Sequence, residues 1–401
     1  MPWVTDHHPT TTELDACVQC GLCLPVCPTF RLTGRETASP RGRLHAMSAV
    51  HTGAIDVDES FAGIIDFCLG CRACEPVCPG LVPYGRTLEG TRAEIDAQIP
   101  GRARRNRWTV GRALGSRALM RLGGFGMSLA QTLGLTRLAP GKYQRITAGL
   151  RSLRGRPSSS VGHVGGSGDS GTVGLLAGCI QDEWFRPVNE AAITLLEMAG
   201  YRVAVPERQT CCGALAAHDG KADAAERYMG KNADAFGGYD MVVATAAGCS
   251  AHLADYRWMG HEPETLDITV AVARAIETGL LPRVEADNGK MAIQDPCHLR
   301  HAQRVIAEPR AVLAAAGYEA VETDEAGLCC GAAGLYTVLQ PEASGRLGKQ
   351  KADQVRATGV TRVASANPGC EMQLRSHLEP DFDVKHPIEW YLEAVASQER
   401  L

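Results

Sequence analysis

Every cysteine in this chain belongs to a repeated pattern whose spacing suits metal–thiolate chemistry, and no thiol is left over. Cys17, Cys20, Cys23 and Cys27 read C-x-x-C-x-x-C-x-x-x-C-P; Cys68, Cys71, Cys74 and Cys78 repeat that spacing, again ahead of proline. Two-residue gaps let three thiolates fold over three corners of one cubane, while the fourth cysteine, followed by proline, points away and ligates the neighbouring cluster. The spacing therefore predicts two 4Fe–4S clusters. One takes Cys17, Cys20, Cys23 and Cys78; the other takes Cys68, Cys71, Cys74 and Cys27. Zinc also uses C-x-x-C pairs, but this proline-terminated spacing, present twice, favours iron–sulfur. Two adjacent clusters make an electron relay rather than a catalyst.

The other eight cysteines form a looser duplicated pattern: Cys179, Cys211, Cys212 and Cys249, then Cys297, Cys329, Cys330 and Cys370. In each copy 31 residues separate the first cysteine from the vicinal pair. Four thiolates per copy suit one or two further iron–sulfur clusters of open type; a zinc site, or buried thiols without metal, compete with that reading because soft thiolates select several metals. His298 and His301 follow Cys297, and His218 follows the first Cys-Cys-Gly. Each is expected to be a solvated or hydrogen-bonded surface histidine before a cluster-tuning one. The run Cys329-Cys330-Gly331-Ala332-Ala333-Gly334 lacks the leading Gly-x-Gly of a dinucleotide fingerprint. With no flavin motif and no acid–base constellation, no catalytic residue is assigned.

The elements that must position these thiols are legible in outline. Residues 1–96 hold both proline-terminated motifs, with a helix predicted between them: Ser39-Pro40 supplies an N-cap and a first-turn proline ahead of Leu44, Met47 and Val50. Residues 97–154 are Leu- and Arg-rich and predicted helical, and residues 155–171 read as a flexible Gly/Ser linker. Residues 172–285 and 286–401 are two copies of one domain in which short β-rich runs alternate with helical segments, predicting β-α-β units and a parallel sheet. The fold class is thus α+β/α/β multidomain, a helical bis-cluster domain followed by a duplicated α/β domain. The vicinal cysteines are expected in loops at the carboxyl ends of strands.

Composition narrows the function classes. At 401 residues, two or three domains are expected. No apolar run approaches the roughly 20 residues that span a bilayer, and the N-terminus lacks a secretory signal. Reduced thiols with metal spacing point to the cytosol, on the inner face of the membrane where peripheral. The net charge of −4 hides an asymmetry: between Ala97 and Gly168 there are 13 Arg and Lys and no Asp or Glu. Arg102, Arg104, Arg105, Arg107, Arg112, Arg117 and Arg121 alternate there with Trp108, Leu114, Leu119 and Leu122. Such a segment reads as a lipid-surface amphipathic stretch, as a dock for an acidic subunit, or as solvated helices covering the cluster domain. Nucleic acid is set aside because no aromatic platform accompanies the arginines.

The whole chain resembles the iron–sulfur subunit of bacterial glycolate oxidase. The resemblance rests on Ala16-Cys17-Val18-Gln19-Cys20-Gly21, Cys27-Pro28-Thr29-Phe30, Pro40-Arg41-Gly42-Arg43, Cys68-Leu69-Gly70-Cys71-Arg72-Ala73-Cys74-Glu75 and both Cys-Cys-Gly-Ala segments. More distantly it is similar to the corresponding subunit of anaerobic glycerol-3-phosphate dehydrogenase and to heterodisulfide reductase subunits. In the last group the motif ends C-x-x-C and five cysteines hold a non-cubane cluster; here His252 and Gln373 stand at the final positions. The resemblance implies an electron-transfer subunit beside an FAD-containing 2-hydroxy-acid dehydrogenase, with membrane quinone as acceptor. A glycerol-3-phosphate or D-lactate dehydrogenase partner, or a self-contained disulfide or quinone reductase, are the alternatives.

Overall fold

A computed structural model of the chain describes residues 3–99, 101–102, 109–138, 141–152, 159–256, 265–323, 327–398 and 400. The N-terminal unit is helical, with helices Thr11–Asp15, Pro28–Thr33, Pro40–His51, Glu59–Asp66 and Tyr84–Gln98. Pro40–His51 starts as the sequence predicts: the Ser39 hydroxyl accepts from the Gly42 N–H, and Pro40 occupies the first turn. Its inner stripe carries Leu44, Met47 and Val50 against Phe61, Ile65, Leu88 and Ile95. Truncating Met47, which is fully buried, would cost about 2–5 kcal/mol. These helices form a frame, and the two cysteine loops hang from their ends.

The C-terminal half contains two sheets of related topology. The first has strands β1 (Val164–Gly165), β2 (Thr172–Leu176), β3 (Arg202–Ala204), β4 (Met241–Ala244) and β5 (Thr265–Asp267) in the order β1-β3-β2-β4-β5. All neighbours are parallel except β1 against β3. The second has β6 (Gly289–Gln294), β7 (Tyr318–Glu322), β8 (Arg362–Ser365) and β9 (Asp383–Lys385) in the fully parallel order β7-β6-β8-β9. The central strands are buried on both faces, as parallel sheets covered by helices must be. Each copy has core clusters of its own, and a further, larger core is shared between them. Leu175, Leu195 and Val243 of the first pack in the same cluster as Val312, Ile388 and Tyr391 of the second.

The Gly/Ser stretch expected to be a linker departs from that reading. Residues 153–158 lie outside the described residues, but from Ser159 onward the chain is part of the first sheet. Val164–Gly165 pairs with β3, the Gly162 N–H donates to Val205 O (2.8 Å), and the Ser160 N–H donates to Asp182 (3.0 Å). Glycine richness here serves close packing: a side chain on Gly166 would collide with the Tyr201 carbonyl. A composition that usually signals disorder is used to press an edge strand against a helix end.

Candidate iron–sulfur centres

The two N-terminal loops share an unusual backbone. In the first, Gln19 and Gly21 have φ of 56° and 83°; in the second, Gly70 and Arg72 have φ of 66° and 60°. Each motif thus places a left-handed residue on either side of its middle cysteine, which curls the loop so that three thiols converge. Gln19 and Arg72 adopt this conformation despite carrying side chains, at a cost of roughly 1–2 kcal/mol each, and such strain concentrates at functional sites. Arg72 is held there by Glu75 (2.8 Å) and by Asp255 of the first copy (2.7 Å).

The loops surround two cavities, and their cysteine linings match the crossed pattern. One cavity is lined by Cys17, Cys20, Cys23, Cys74 and Cys78; the other is lined by Cys27, Cys68, Cys71 and Cys74, so Cys74 borders both. All eight thiols are free. Burial pushes Cys71 and Cys74 well above the ordinary thiol range, so uncompensated thiolates do not suit these positions. Among the described residues no three His, Cys, Asp or Glu side chains meet closely enough to hold a single ion; the thiols line the walls of the two cavities. Around the second cavity the Gly70 N–H reaches Cys68 Sγ (3.4 Å), the Thr29 hydroxyl lies 3.3 Å from Cys27 Sγ, and the Tyr84 hydroxyl lies 3.8 Å from Cys68 Sγ.

The vicinal cysteines sit beyond the carboxyl ends of the strands, as expected. In the first copy Cys179 and Cys211 sulfurs are 3.4 Å apart and Cys212 and Cys249 sulfurs 3.3 Å apart. In the second, Cys330 and Cys370 are 3.0 Å apart, and the Gly331 N–H reaches Cys329 Sγ (3.4 Å). The glycine after each pair is required: Gly213 and Gly331 have φ of 96° and 84°, and a Cβ on Gly331 would lie 2.8 Å from Leu347. At the fifth-cysteine positions, Gln373 is buried and donates to Ser344 O (2.9 Å), whereas His252 lines a cavity.

That cavity, about 710 Å³, opens where helix Tyr84–Gln98 meets the first copy. Its wall includes Arg72, Glu89, His218, His252, Asp255 and His298. Three of these adjoin cysteines of different sites: Arg72 follows Cys71, His252 lies one turn past Cys249, and His298 follows Cys297. The His218 ring stands 5.4 Å from His298 and 6.4 Å from His252. Burial pulls His252 down to about 4, keeping it neutral near pH 7. Burial opposes ionisation of Glu89, yet the hydrogen bond from His218 (2.6 Å) holds that carboxyl at about 2. His218 and His298 are therefore half-buried cavity groups rather than surface histidines; His301 bonds the Gly327 carbonyl (2.9 Å). Spacing could not reveal this grouping, because the three rings come from three separate helices.

The arginines of the basic segment divide. Arg104, Arg105 and Arg107, with Trp108, lie outside the described residues. Arg102 is tied into the cluster domain: its guanidinium meets Asp66 (2.5 Å) and Glu59 (2.6 Å). Arg112, Arg117 and Arg121 are exposed. Helix Arg117–Thr132 covers the first copy, not the cluster domain. Met120 packs into the core around Cys211 and Cys212, and a Cβ on Gly124 would collide with the Glu183 carboxylate of helix Cys179–Trp184. The opposite face carries Leu122, Phe125, Leu129 and Leu133, with Leu122 and Phe125 67% and 69% exposed. The helix turns its apolar face away from the protein.

Comparison with known proteins agrees with this arrangement. Residues 13–82 match the 4Fe-4S dicluster domain, and residues 173–254 and 291–375 each match the cysteine-rich domain. The chain is similar to the probable glycolate oxidase iron–sulfur subunit of Bacillus subtilis, 33% identical over 402 residues, covering 92% of this chain and 89% of the relative. It is also similar to the glycolate oxidase iron–sulfur subunit of Escherichia coli, 27% identical over 405 residues (96% and 95%). A third relative belongs to the fumarate reductase (CoM/CoB) of Methanothermobacter marburgensis, one of whose subunits is 28% identical over 389 residues (94% and 70%). With two cysteine loops of matching backbone, a duplicated Cys-Cys-Gly half and this full-length similarity, the chain belongs to the glycolate oxidase iron–sulfur subunit family.

Proposed function

We propose that this chain is the electron-transfer subunit of a flavin-dependent 2-hydroxy-acid dehydrogenase complex, standing between an FAD-containing partner and membrane quinone. In this reading Cys17, Cys20, Cys23 and Cys78 hold one 4Fe–4S cluster, Cys27, Cys68, Cys71 and Cys74 the second, and each Cys-Cys-Gly copy a further cluster. Bound clusters supply single-electron steps between a two-electron flavin donor and the acceptor. The protein fixes the thiols in curled loops, buries all four of the second set while leaving Cys20 of the first exposed, and sets the hydrogen bonds to sulfur.

The observation that carries the proposal is the continuity of the cysteine sites. Leu69, Cys71 and Ala73 of the second loop pack in one cluster with Cys329 and Tyr336 of the second copy, and Cys297 packs against them. The Gly248 N–H beside Cys249 donates to Asn367 near Cys370 (3.3 Å), joining the two copies. The first copy in turn lies under helix Arg117–Thr132, whose outward apolar face and arginines suit the surface of an anionic bilayer. No helix among the described residues is long and apolar enough to cross a membrane.

The test is reconstitution. Anaerobically purified chain should be brown, contain iron and sulfide, and show no substrate-dependent reduction of a short-chain quinone. Adding the co-purifying flavoprotein should restore reduction with glycolate, D-lactate or glycerol 3-phosphate, and the preferred donor names the complex. Substrate-dependent reduction by the isolated chain would overturn the relay reading.

A further inference from the structure

Arg43 is fully buried, and it occupies the inner stripe of helix Pro40–His51 in register with Met47 and Val50. A charge at such a position normally meets a carboxylate, because an unpaired buried ion is heavily disfavoured. Arg151 illustrates the usual solution: its guanidinium is clasped by Glu371 (2.6 Å) and Glu389 (2.7 Å). Among the described residues no carboxylate pairs with Arg43 in this way. Nε donates to Ile64 O (2.9 Å), Nη1 to Ala38 O (2.9 Å) and Nη2 to the Thr29 hydroxyl (3.2 Å), all neutral acceptors.

Sulfur is the nearby element suited to carry the negative charge. Thr29, the Nη2 acceptor, lies 3.3 Å from Cys27 Sγ. On the other side the Tyr84 hydroxyl, a hydrogen-bond partner of the Arg43 guanidinium, approaches Cys68 Sγ at 3.8 Å. The guanidinium thus stands one hydroxyl away from two thiols that come from different motifs but line the same cavity. The missing anion is what those thiols would hold.

We infer that Arg43 is the fixed counter-charge of the cluster bound by Cys27, Cys68, Cys71 and Cys74, and that it raises the reduction potential of this cluster relative to the one bound by Cys17, Cys20, Cys23 and Cys78. The inference rests on the ligand sets proposed above. A 4Fe–4S centre gains one negative charge on reduction, so a buried cation favours the reduced form; net charge and hydrogen bonds to sulfur are the protein's levers on potential. The first loop has no equivalent among the described residues: Arg41, its nearest guanidinium, is partly exposed and already paired with Glu36 (2.8 Å). The inner site, next to the second copy, is thereby made the better electron acceptor of the two.

The experiment is a redox titration followed by electron paramagnetic resonance on the complex purified without air, with Cys20→Ser used to identify the outer cluster's signal. Arg43→Gln should lower the inner cluster's one-electron reduction equilibrium at least tenfold, about 59 mV, and leave the outer cluster in place. Arg43→Lys keeps the charge and should stay near the wild-type potential. If the glutamine variant assembles no inner cluster while the lysine variant assembles one of normal potential, the requirement for charge is supported. An unchanged potential in Arg43→Gln, an equal shift in Arg43→Lys, or loss of the inner cluster in both would overturn the inference. Wild-type protein without two 4Fe–4S signals would instead defeat the ligand assignment itself.

Discussion

The two Cys-Cys-Gly copies hold their cysteines in the same way and keep different company. Both place one cysteine after the first strand, a vicinal pair before a left-handed glycine, and a last cysteine on a short helix. Around the second copy the neighbours are the ferredoxin-type loop and the buried Gln373. Around the first they are helix Arg117–Thr132 and a cavity shared with the N-terminal unit, where His218 and His252 meet His298 of the second copy. Duplication supplied the ligands, and the coverings made the copies unequal. Both copies meet the N-terminal unit, the first through Asp255 on Arg72 and His218 on Glu89. Among the described residues, though, only the second packs its cysteines against the second cysteine loop; in the relay proposed above that copy receives the electrons first.

The largest effect should come from disabling one Cys-Cys-Gly copy at a time. Cys330→Ala should leave the N-terminal clusters reducible through the flavoprotein but cut quinone reduction more deeply than the roughly 10–100-fold expected for loss of a residue that only supports a ligand. Cys212→Ala should also stop quinone reduction, but with the second copy still reduced by substrate. Freeze-quenched paramagnetic resonance distinguishes the two patterns. Identical patterns would mean the copies act in parallel, and the proposed order would be wrong.

The attachment of the basic segment gives the next largest effect. On the second copy it is anchored by Arg151, whose guanidinium meets the buried carboxylates of Glu371 and Glu389. Arg151→Met strands both, and breaking a buried pair in this way costs about 3–5 kcal/mol. On the first copy the segment is held by packing, with Leu114 and Met120 in the core around Cys211 and Cys212, and by single polar contacts such as the Thr210 hydroxyl on the Gly115 carbonyl (3.1 Å). Thr210→Val should cost only about 0.5–1.5 kcal/mol. Thermal or denaturant unfolding of the complex measures both, and equal losses would show that the Arg151 clasp is no stronger an anchor than that single hydrogen bond.

The outward face of helix Arg117–Thr132 gives a smaller, salt-dependent effect. Leu122→Glu with Phe125→Glu should weaken binding to vesicles containing phosphatidylserine, since burying each such side chain contributes about 1.5–3 kcal/mol. Raising ionic strength should weaken the wild type further through Arg117 and Arg121, while vesicles of neutral lipid should bind less at all salt levels. Unchanged sedimentation with vesicles would leave this face to a protein partner.

What was legible in the sequence depends on the kind of information each feature needs. The two cysteine loops, the helix capped by Ser39 and the duplicated β-α-β order could be read because spacing and periodicity are local. The 155–171 stretch misled because composition registers glycine content and not the close approach that Gly166 makes to Tyr201. Arg102 misled because its partners, Glu59 and Asp66, lie 43 and 36 residues away in sequence. Arg43 was visible in principle, as a charge on the stripe of Met47 and Val50, but its meaning required knowing which acceptors face it. The histidine cavity was not legible at all, since it forms only where separate helices meet.

The finest probe of the inequality lies at position 367. Three residues before its last cysteine the second copy has Asn367, and at the same position the first copy has Ala246. The Asn367 amide nitrogen lies 3.7 Å from Cys370 Sγ, and its side-chain carbonyl accepts the Gly248 N–H of the other copy. A hydrogen bond to sulfur stabilises the reduced state, so the second copy's potential should be the higher on this account. Asn367→Ala should lower it modestly and cost about 0.5–1.5 kcal/mol of stability. Asn367→Asp should lower it more, by setting a negative charge beside the thiolate. If the first copy's potential moves as far as the second's, the side chain serves the junction between copies rather than the Cys370 sulfur, and the contrast must be sought in the surrounding helices instead.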